Sequence, residues 1–313
     1  MSPTDKAAAV RRIAASLGFD RVGIARAGPV TRAAYLRDWL ERGCAGRMDY
    51  LRRHLEQRMD PGMLLEGARS VIVVALNYQQ PAPERTDERP TGRVAKYAWG
   101  DDYHRIVRDR LEAMIDEMRG AIDEPLQARA CVDTAPILER QWAAAAGIGW
   151  IGKNTMVLHP ELGSYFFLGE IVTTLELACD APMTNHCGTC TRCLEACLTK
   201  AFRAPYQLDA SRCISYFTIE LRDEIPAEYH AAIGDWIFGC DICQQVCPFN
   251  RDVPASTAFS IRPPGPYPAL SEILSWRPED YAANLRRSAM KRAKLAMLKR
   301  NAAIALANQR SRE

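Results

Sequence analysis

The sequence predicts an α+β (mixed α/β) protein in three parts, on three observations. Stretches of helical and strand-like periodicity alternate over the first ~180 residues. Eight of the eleven cysteines crowd between Cys187 and Cys247. Beyond them lies a proline-rich connector, VPASTAFSIRPPGPYPAL, and then a basic helical segment. The expected boundaries are 1–180 for the α/β domain, 181–253 for the cysteine module and 254–313 for the connector and tail.

Taken in order, TDKAAAVRRIAASL reads as a helix, with Thr4 as N-cap and Gly18 as stop. RVGIARA is a short strand and TRAAYLRDWLERG a second helix ending at Gly43. SVIVVALNY (Ser70–Tyr78) is a continuous, β-branched apolar run, the signature of a strand buried on both faces. QQPAPERTDERPTG (79–92) is polar and proline-containing, hence a loop. In YHRIVRDRLEAMIDEMRGAI, Ile106, Val107, Leu111, Met114, Ile115 and Met118 recur at helical spacing. ARACVDT is another strand and APILERQWAAAAG another helix, for which Asp133 or Thr134 could serve as cap near Pro136. TMVLHP and YFFLGEIVTTLEL close the domain as strands.

A hydrophobic content of 48% and a charged content of 25% are those of an ordinary globular chain. No run approaches the ~18 apolar residues of a membrane span, and MSPTDKAAAV has no apolar signal segment. A cytoplasmic, disulfide-free protein is expected. The net charge is +3, but residues 284–313 carry nine Lys/Arg against one acid, leaving −5 on the rest. An acidic body with a basic tail fits a polyanionic partner.

The cysteine runs are CGTCTRCLEAC (Cys187, Cys190, Cys193, Cys197) and CDICQQVCP (Cys240, Cys243, Cys247), with Cys213 alone between them. This is the spacing of a ferredoxin-like two-[4Fe–4S] module, whose runs each lend their last cysteine to the other cluster. One cluster then takes Cys187, Cys190, Cys193 and Cys247; the other takes Cys197, Cys213, Cys240 and Cys243. The second run departs from the usual form, its first member having moved back to Cys213. Zinc favours two separate CxxC knuckles, which the overlapping triplet fits poorly. Cys44, Cys131 and Cys179 read as small apolar residues.

GIGWIGK (147–153) matches G-x-G-x-x-G and nearly a P-loop. Both motifs need a preceding strand, whereas APILERQWAAAA is helical in pattern, so a helix C-cap and tight turn is expected. No histidine is followed by glycine at the spacing of a D-x-H-x-x-G cobalt-ligand motif.

The stretch CVDTAPILERQWAAAAGIGWIGKNTMVLHPELGSYFFLGEIVTTLEL resembles the epoxyqueuosine reductases, as do QRMDPGMLLEGARSVIVVALNY, KYAWGDDYHRIVRDRLE and RCISYFTIELRDEIP. The resemblance covers nearly the whole chain. It implies an oxidoreductase that reduces epoxyqueuosine to queuosine at the wobble position of tRNA. The implied cofactors are cobalamin and two [4Fe–4S] clusters, with residues 1–180 as the cobalamin-binding catalytic domain. Cobalt(I) is nucleophilic enough to open an epoxide, and low-potential clusters in series would deliver its electrons from an external donor.

By the same resemblance Asp133 is the proton donor, a role that asks for a carboxyl held neutral near pH 7. Arg58, Tyr97, Asp133, Asn154 and Ser215 are the implied cobalamin contacts. The bland readings are a surface charge for Arg58 and core packing for Tyr97. Lys291, Arg292, Lys294, Lys299 and Arg300 would form a basic helix face, either solvated or gripping tRNA phosphates. The last segment would be a shortened HEAT-like piece, and a monomer without membrane attachment is expected. Two rival readings stand beside this one, a corrinoid reductive dehalogenase-like enzyme and a ferredoxin-type electron carrier. The first usually carries an export signal, and the second has no need of a ~180-residue α/β domain.

Overall fold

The computed structural model describes residues 1–85 and 89–311 of the 313-residue chain. Part of the loop expected at 79–92 therefore lies outside the described residues. The first half contains α1 (Pro3–Ser16), β1 (Arg21–Arg26), α2 (Ala33–Glu41), α3 (Leu55–Met59), β2 (Ser70–Asn77), β3 (Arg93–Val94) and α4 (Tyr103–Ala121). There follow β4 (Ala128–Cys131), α5 (Glu139–Ala145), β5 (Trp150–Ile151), β6 (Val157–Leu158) and β7 (Phe166–Thr173). The cysteine-rich part holds α6 (Arg192–Glu195), β8 (Phe202–Ala204), β9 (Gln207–Leu208), α7 (Ile214–Ile219), α8 (His230–Ile233), β10 (Trp236–Phe238) and α9 (Ile242–Gln245). The chain closes with α10 (Leu270–Ser275), α11 (Pro278–Asn284) and α12 (Leu295–Arg310).

The main sheet has the order β1-β2-β7-β4 and is antiparallel throughout. All eight residues of β2 are buried, as its unbroken apolar run predicts. Side chains alternate across the pleat. Ile72, Val74 and Leu76 meet α1 and α4 through Val10, Ile13, Leu111 and Met114, while Val71, Val73 and Ala75 meet Trp142, Ala143 and Ala146 of the α5 region. Gly23 permits that second layer, because a Cβ there would stand 2.0 Å from the Ala146 carbonyl oxygen.

Two expected caps are corrected. Ser2 rather than Thr4 caps α1: its Oγ accepts from the Asp5 N–H at 3.2 Å, and the Asp5 carboxylate accepts from the Ser2 N–H. Pro3, which has no N–H to satisfy, sits in the first turn and fixes the earlier start. Helix α5 begins only at Glu139, with Leu138 as an N-cap that offers no side-chain bond, so neither Asp133 nor Thr134 caps it. Gly147, at φ +69°, ends that helix region, and 150–158 form the β5–β6 hairpin, so the glycine motif is the expected C-cap and turn.

Strands β3 and β10 form a parallel pair that joins the first half of the chain to the cysteine-rich part. Over β10 lies α12. Its Asn301, 0% exposed, donates from Nδ2 to the carbonyls of Thr218 and Ile237, both at 2.9 Å. Asn301→Ala strands both carbonyls, so we expect a loss of about 2–4 kcal/mol, read from urea unfolding. A change within ~0.5 kcal/mol would mean that water replaces the amide there. Among the described residues, no helix is long and apolar enough to cross a membrane.

Candidate active site and cluster ligands

Cys187, Cys190, Cys193 and Cys247 line one pocket together with Lys153, Asn154, His186 and Phe249. Burial pushes the Cys193 thiol up to about 11, and the charges that add to this are those of Cys247, Cys187 and Cys190. Elsewhere in the module burial raises Cys240 well above the usual thiol range, with Cys213 and Cys243 adding to it. Cys243 is raised in the same way, with Cys213, Cys193 and Cys197 among its neighbours. None of these cysteines is in a disulfide. The first set surrounds a pocket rather than a point, which suits a cubane because each thiolate binds a different iron. Two short helices, α6 and α9, carry one half of the module each. Lys153 Nζ donates to the carbonyls of Gly188 (2.7 Å) and Cys190 (2.9 Å), tying the β5–β6 hairpin to the first ligand loop.

If Cys213 is the eighth ligand, Cys213→Ala should lower reconstituted iron from about eight to about four per chain. An unchanged iron content would reassign that ligand. Of the other cysteines, Cys44 and Cys131 are buried as expected, while Cys179 is exposed, a correction to its reading as a core residue.

Asp133 lies in the turn between β4 and α5, at φ +42°, in the left-handed region that non-glycine residues rarely adopt. Its N–H donates to Glu139 Oε1 at 2.6 Å. On its other side His104 Nε2 stands 2.9 Å from Asp133 Oδ2, while His104 Nδ1 stands 2.6 Å from Asp102 Oδ1. Asp102 is the N-cap of α4, so the helix start aims the imidazole. Tyr103 stacks on Phe167, with ring centroids 4.0 Å apart, and Tyr97 meets Tyr103 edge-on at 6.2 Å. These rings form an aromatic wall beside the acid group.

Burial works against a charged His104, but the two carboxylates prevail and push the imidazole up to about 9. For Asp133, burial favours the neutral acid, yet hydrogen bonds from His104 and Tyr103 and the charge of Arg292 hold the carboxyl below its usual range. This corrects the expectation of a neutral Asp133: its side chain is 52% exposed and ion-paired, and the proton resides on His104. The neutral acids are elsewhere. Burial and the charge of Asp133 push Glu139 up to about 7. Burial raises Glu170 well above the carboxylate range, and its two oxygens have no partner. His104, Glu139 and Glu170 were not among the residues singled out. For Glu170 a signal existed: an acid inside FFLGEIVT, a strand otherwise apolar.

The implied cobalamin contacts divide into two groups. Arg58, on α3, is half-buried, its Nε is enclosed without a protein partner, and its charge is felt by Asp133 and Glu139. Tyr97 packs on Tyr103 and Phe238. Asn154, 3% exposed, and Ser215 lie instead among the cysteines: Asn154 lines the pocket of the first set and its Nδ2 is 3.4 Å from the Cys243 carbonyl oxygen, and Ser215 hydrogen-bonds Cys213. An enclosed guanidinium N–H with nothing to bond, an aromatic wall and an acid facing one another suit the amide-fringed, flat body of a corrin.

The basic residues do not form one helix face. Lys291 and Arg292 belong to a 3₁₀ turn (Ala289–Arg292), Lys294 is the N-cap of α12, and Lys299 and Arg300 lie within α12. Arg300 turns inward, donating to the carbonyls of Phe217 (2.7 Å) and Leu221 (2.8 Å). Arg292 pairs with Glu220 at 2.8 Å and lies over the Tyr50 ring, within electrostatic reach of Asp133. Lys291 and Lys294 are exposed.

Residues 58–134 match a family described as "Epoxyqueuosine reductase QueG, DUF1730", and residues 186–250 a "4Fe-4S double cluster binding domain". The epoxyqueuosine reductase of Cellulophaga algicola is 41% identical over 303 residues, 95% of each chain. A crystal structure of epoxyqueuosine reductase with an epoxyqueuosine-modified tRNA-Tyr stem loop superposes with a TM-score of 0.87 at 31% identity, covering 96% of this chain and 80% of that one. The Bacillus subtilis enzyme, solved with its catalytic aspartate loop swung out of the active site, gives 0.87 at 30% identity with the same coverage.

Proposed function

The chain belongs to the epoxyqueuosine reductase family, and on that premise we propose that it removes the epoxide oxygen of epoxyqueuosine in tRNA with Asp133 as the acid. It is an oxidoreductase. The observation that carries the assignment is the turn of Asp133, held at φ +42° between His104 and Glu139 beside Arg58 and Tyr97. When bound, cobalamin supplies a nucleophilic metal centre and the two clusters supply low-potential electrons.

The chain's own groups supply protons and orientation. Loss of the epoxide oxygen as water takes two electrons and two protons. His104, protonated through the neutral range, holds one proton at Nε2, 2.9 Å from Asp133 Oδ2. Asp133 takes that proton and delivers it to the departing oxygen, the second proton comes from solvent water, which also recharges His104, and Asp102 fixes the ring by accepting from Nδ1. Arg58 and Tyr97 would hold the corrin on the Asp133 side, and Asn154 and Ser215 would hold it beside the cysteine ligands. Lys291 and Lys294, on the same stretch as Arg292 at the rim, contact tRNA phosphates. An external low-potential donor supplies the electrons, and the enzyme works as a cytoplasmic monomer.

The test is anaerobic incubation with epoxyqueuosine-containing tRNA, cobalamin and a strong reductant, followed by nucleoside mass spectrometry. Conversion to queuosine is expected. No conversion by protein loaded with both clusters and corrin would overturn the reading.

A further inference from the structure

Glu170 stands in the middle of β7, opposite Val73 on β2 and Cys131 on β4. It is 0% exposed, and neither carboxylate oxygen has a partner. An ionised acid there would lose its hydration with nothing in return, so Glu170 is neutral. Glu139, the first residue of α5, lies close enough to be the leading charge acting on it. Among the described residues, Glu139 also makes the one side-chain bond from outside the turn to the Asp133 backbone. His104 and Tyr103 bond the Asp133 side chain, while the backbone of the turn is otherwise held from within: Ala135 N–H to the Val132 carbonyl, Ile137 N–H to the Ala135 carbonyl, and Thr134 Oγ1 to the Val132 carbonyl. A strained aspartate persists only while its surroundings hold it.

We infer that Glu139 is a positioning residue whose ionised carboxylate latches the Asp133 turn in place. The inference rests on the reading of Asp133 as the acid. The groups facing Glu139 are Asp133 on the turn, His104 on α4, Arg140 on α5, Arg58 on α3, Glu170 on β7 and Cys131 on β4. Burial and the charge of Asp133 favour its proton, whereas the Asp133 N–H, Arg140 and His104 favour its charge. The balance puts its titration at about 7. An acid is charged above its pKa, and a carboxylate accepts more strongly than a carboxyl. The latch therefore tightens as pH rises through neutrality and loosens below it.

The test is hydrogen exchange by mass spectrometry on the holoenzyme, following the peptide around Asp133 across roughly pH 6–8.5, with rates corrected for intrinsic exchange. Wild-type protection should rise with a midpoint near about 7. Glu139→Gln keeps an acceptor but no titration, so its protection should be lower and flat with pH. Its single-turnover rate should fall about tenfold and lose the acid limb. A flat wild-type profile, a pH-dependent profile in Glu139→Gln, or an unmoved midpoint in Asp133→Asn overturns the inference. Asp133→Asn keeps the backbone N–H but removes the charge that helps raise Glu139, so its protection should still rise with pH, at a midpoint below wild type, whether or not Asp133 is the acid. That separates a failure of the latch from a failure of the reading beneath it.

Discussion

Asp133→Asn is expected to bind cobalamin and both clusters normally and to lose epoxide reduction by roughly 10²–10⁴, the span of a positioned general acid. The amide keeps the size of the side chain, and the backbone bond to Glu139 is untouched. It cannot carry a proton from His104 to the substrate. Asp133 caps no helix, so the stability lost is that of its half-exposed pairing with His104, about 1 kcal/mol or less. The deciding measurement is single-turnover product formation normalised to bound corrin. A rate near wild type would remove Asp133 from the mechanism.

His104→Gln carries the second large effect. The wild-type imidazole titrates at about 9, and the mechanism needs its protonated form. Activity should therefore hold through neutral pH and fall above about 9. The variant should be slower by roughly 10² and lack that alkaline limb. The stability sign is the same. The folded-state pKa lies above the ordinary 6.5, so the contribution is complete below 6.5 and lost as pH rises through about 9. Urea midpoints for the two proteins should accordingly converge toward alkaline pH. An alkaline limb that survives in His104→Gln would assign the proton to another group.

What could be read from the sequence was what local spacing encodes. The cysteine-rich cluster module was legible because a cluster constrains residues two and three apart in the chain. Strand β2 was legible because double-sided burial writes an unbroken apolar run. The cap at Ser2 was missed by two residues, since Thr4 has the same hydroxyl and only Pro3 distinguishes them. The late start of α5 was hidden because ILERQW is helical in pattern, while the turn before it is held by side chains distant in sequence or later in the helix, His104 and Glu139. The charge state of Asp133 was misjudged for a related reason. The residue that sets it, His104, is 29 positions away and meets it only in the fold. The five basic residues looked like one face, but the backbone breaks at Ala293–Lys294 and Arg300 is spent on carbonyls.

The parallel ladder between β3 and β10 has a consequence for synthesis on the ribosome. Strand β10 ends at Phe238, two residues before Cys240, and its partner was made some 140 residues earlier. Pairings this distant in sequence form late. The covering helix α12, whose Asn301 bonds to Ile237, emerges roughly 60 residues after β10. The loop that carries Cys240 thus gains its support only once α12 has followed it out of the ribosome.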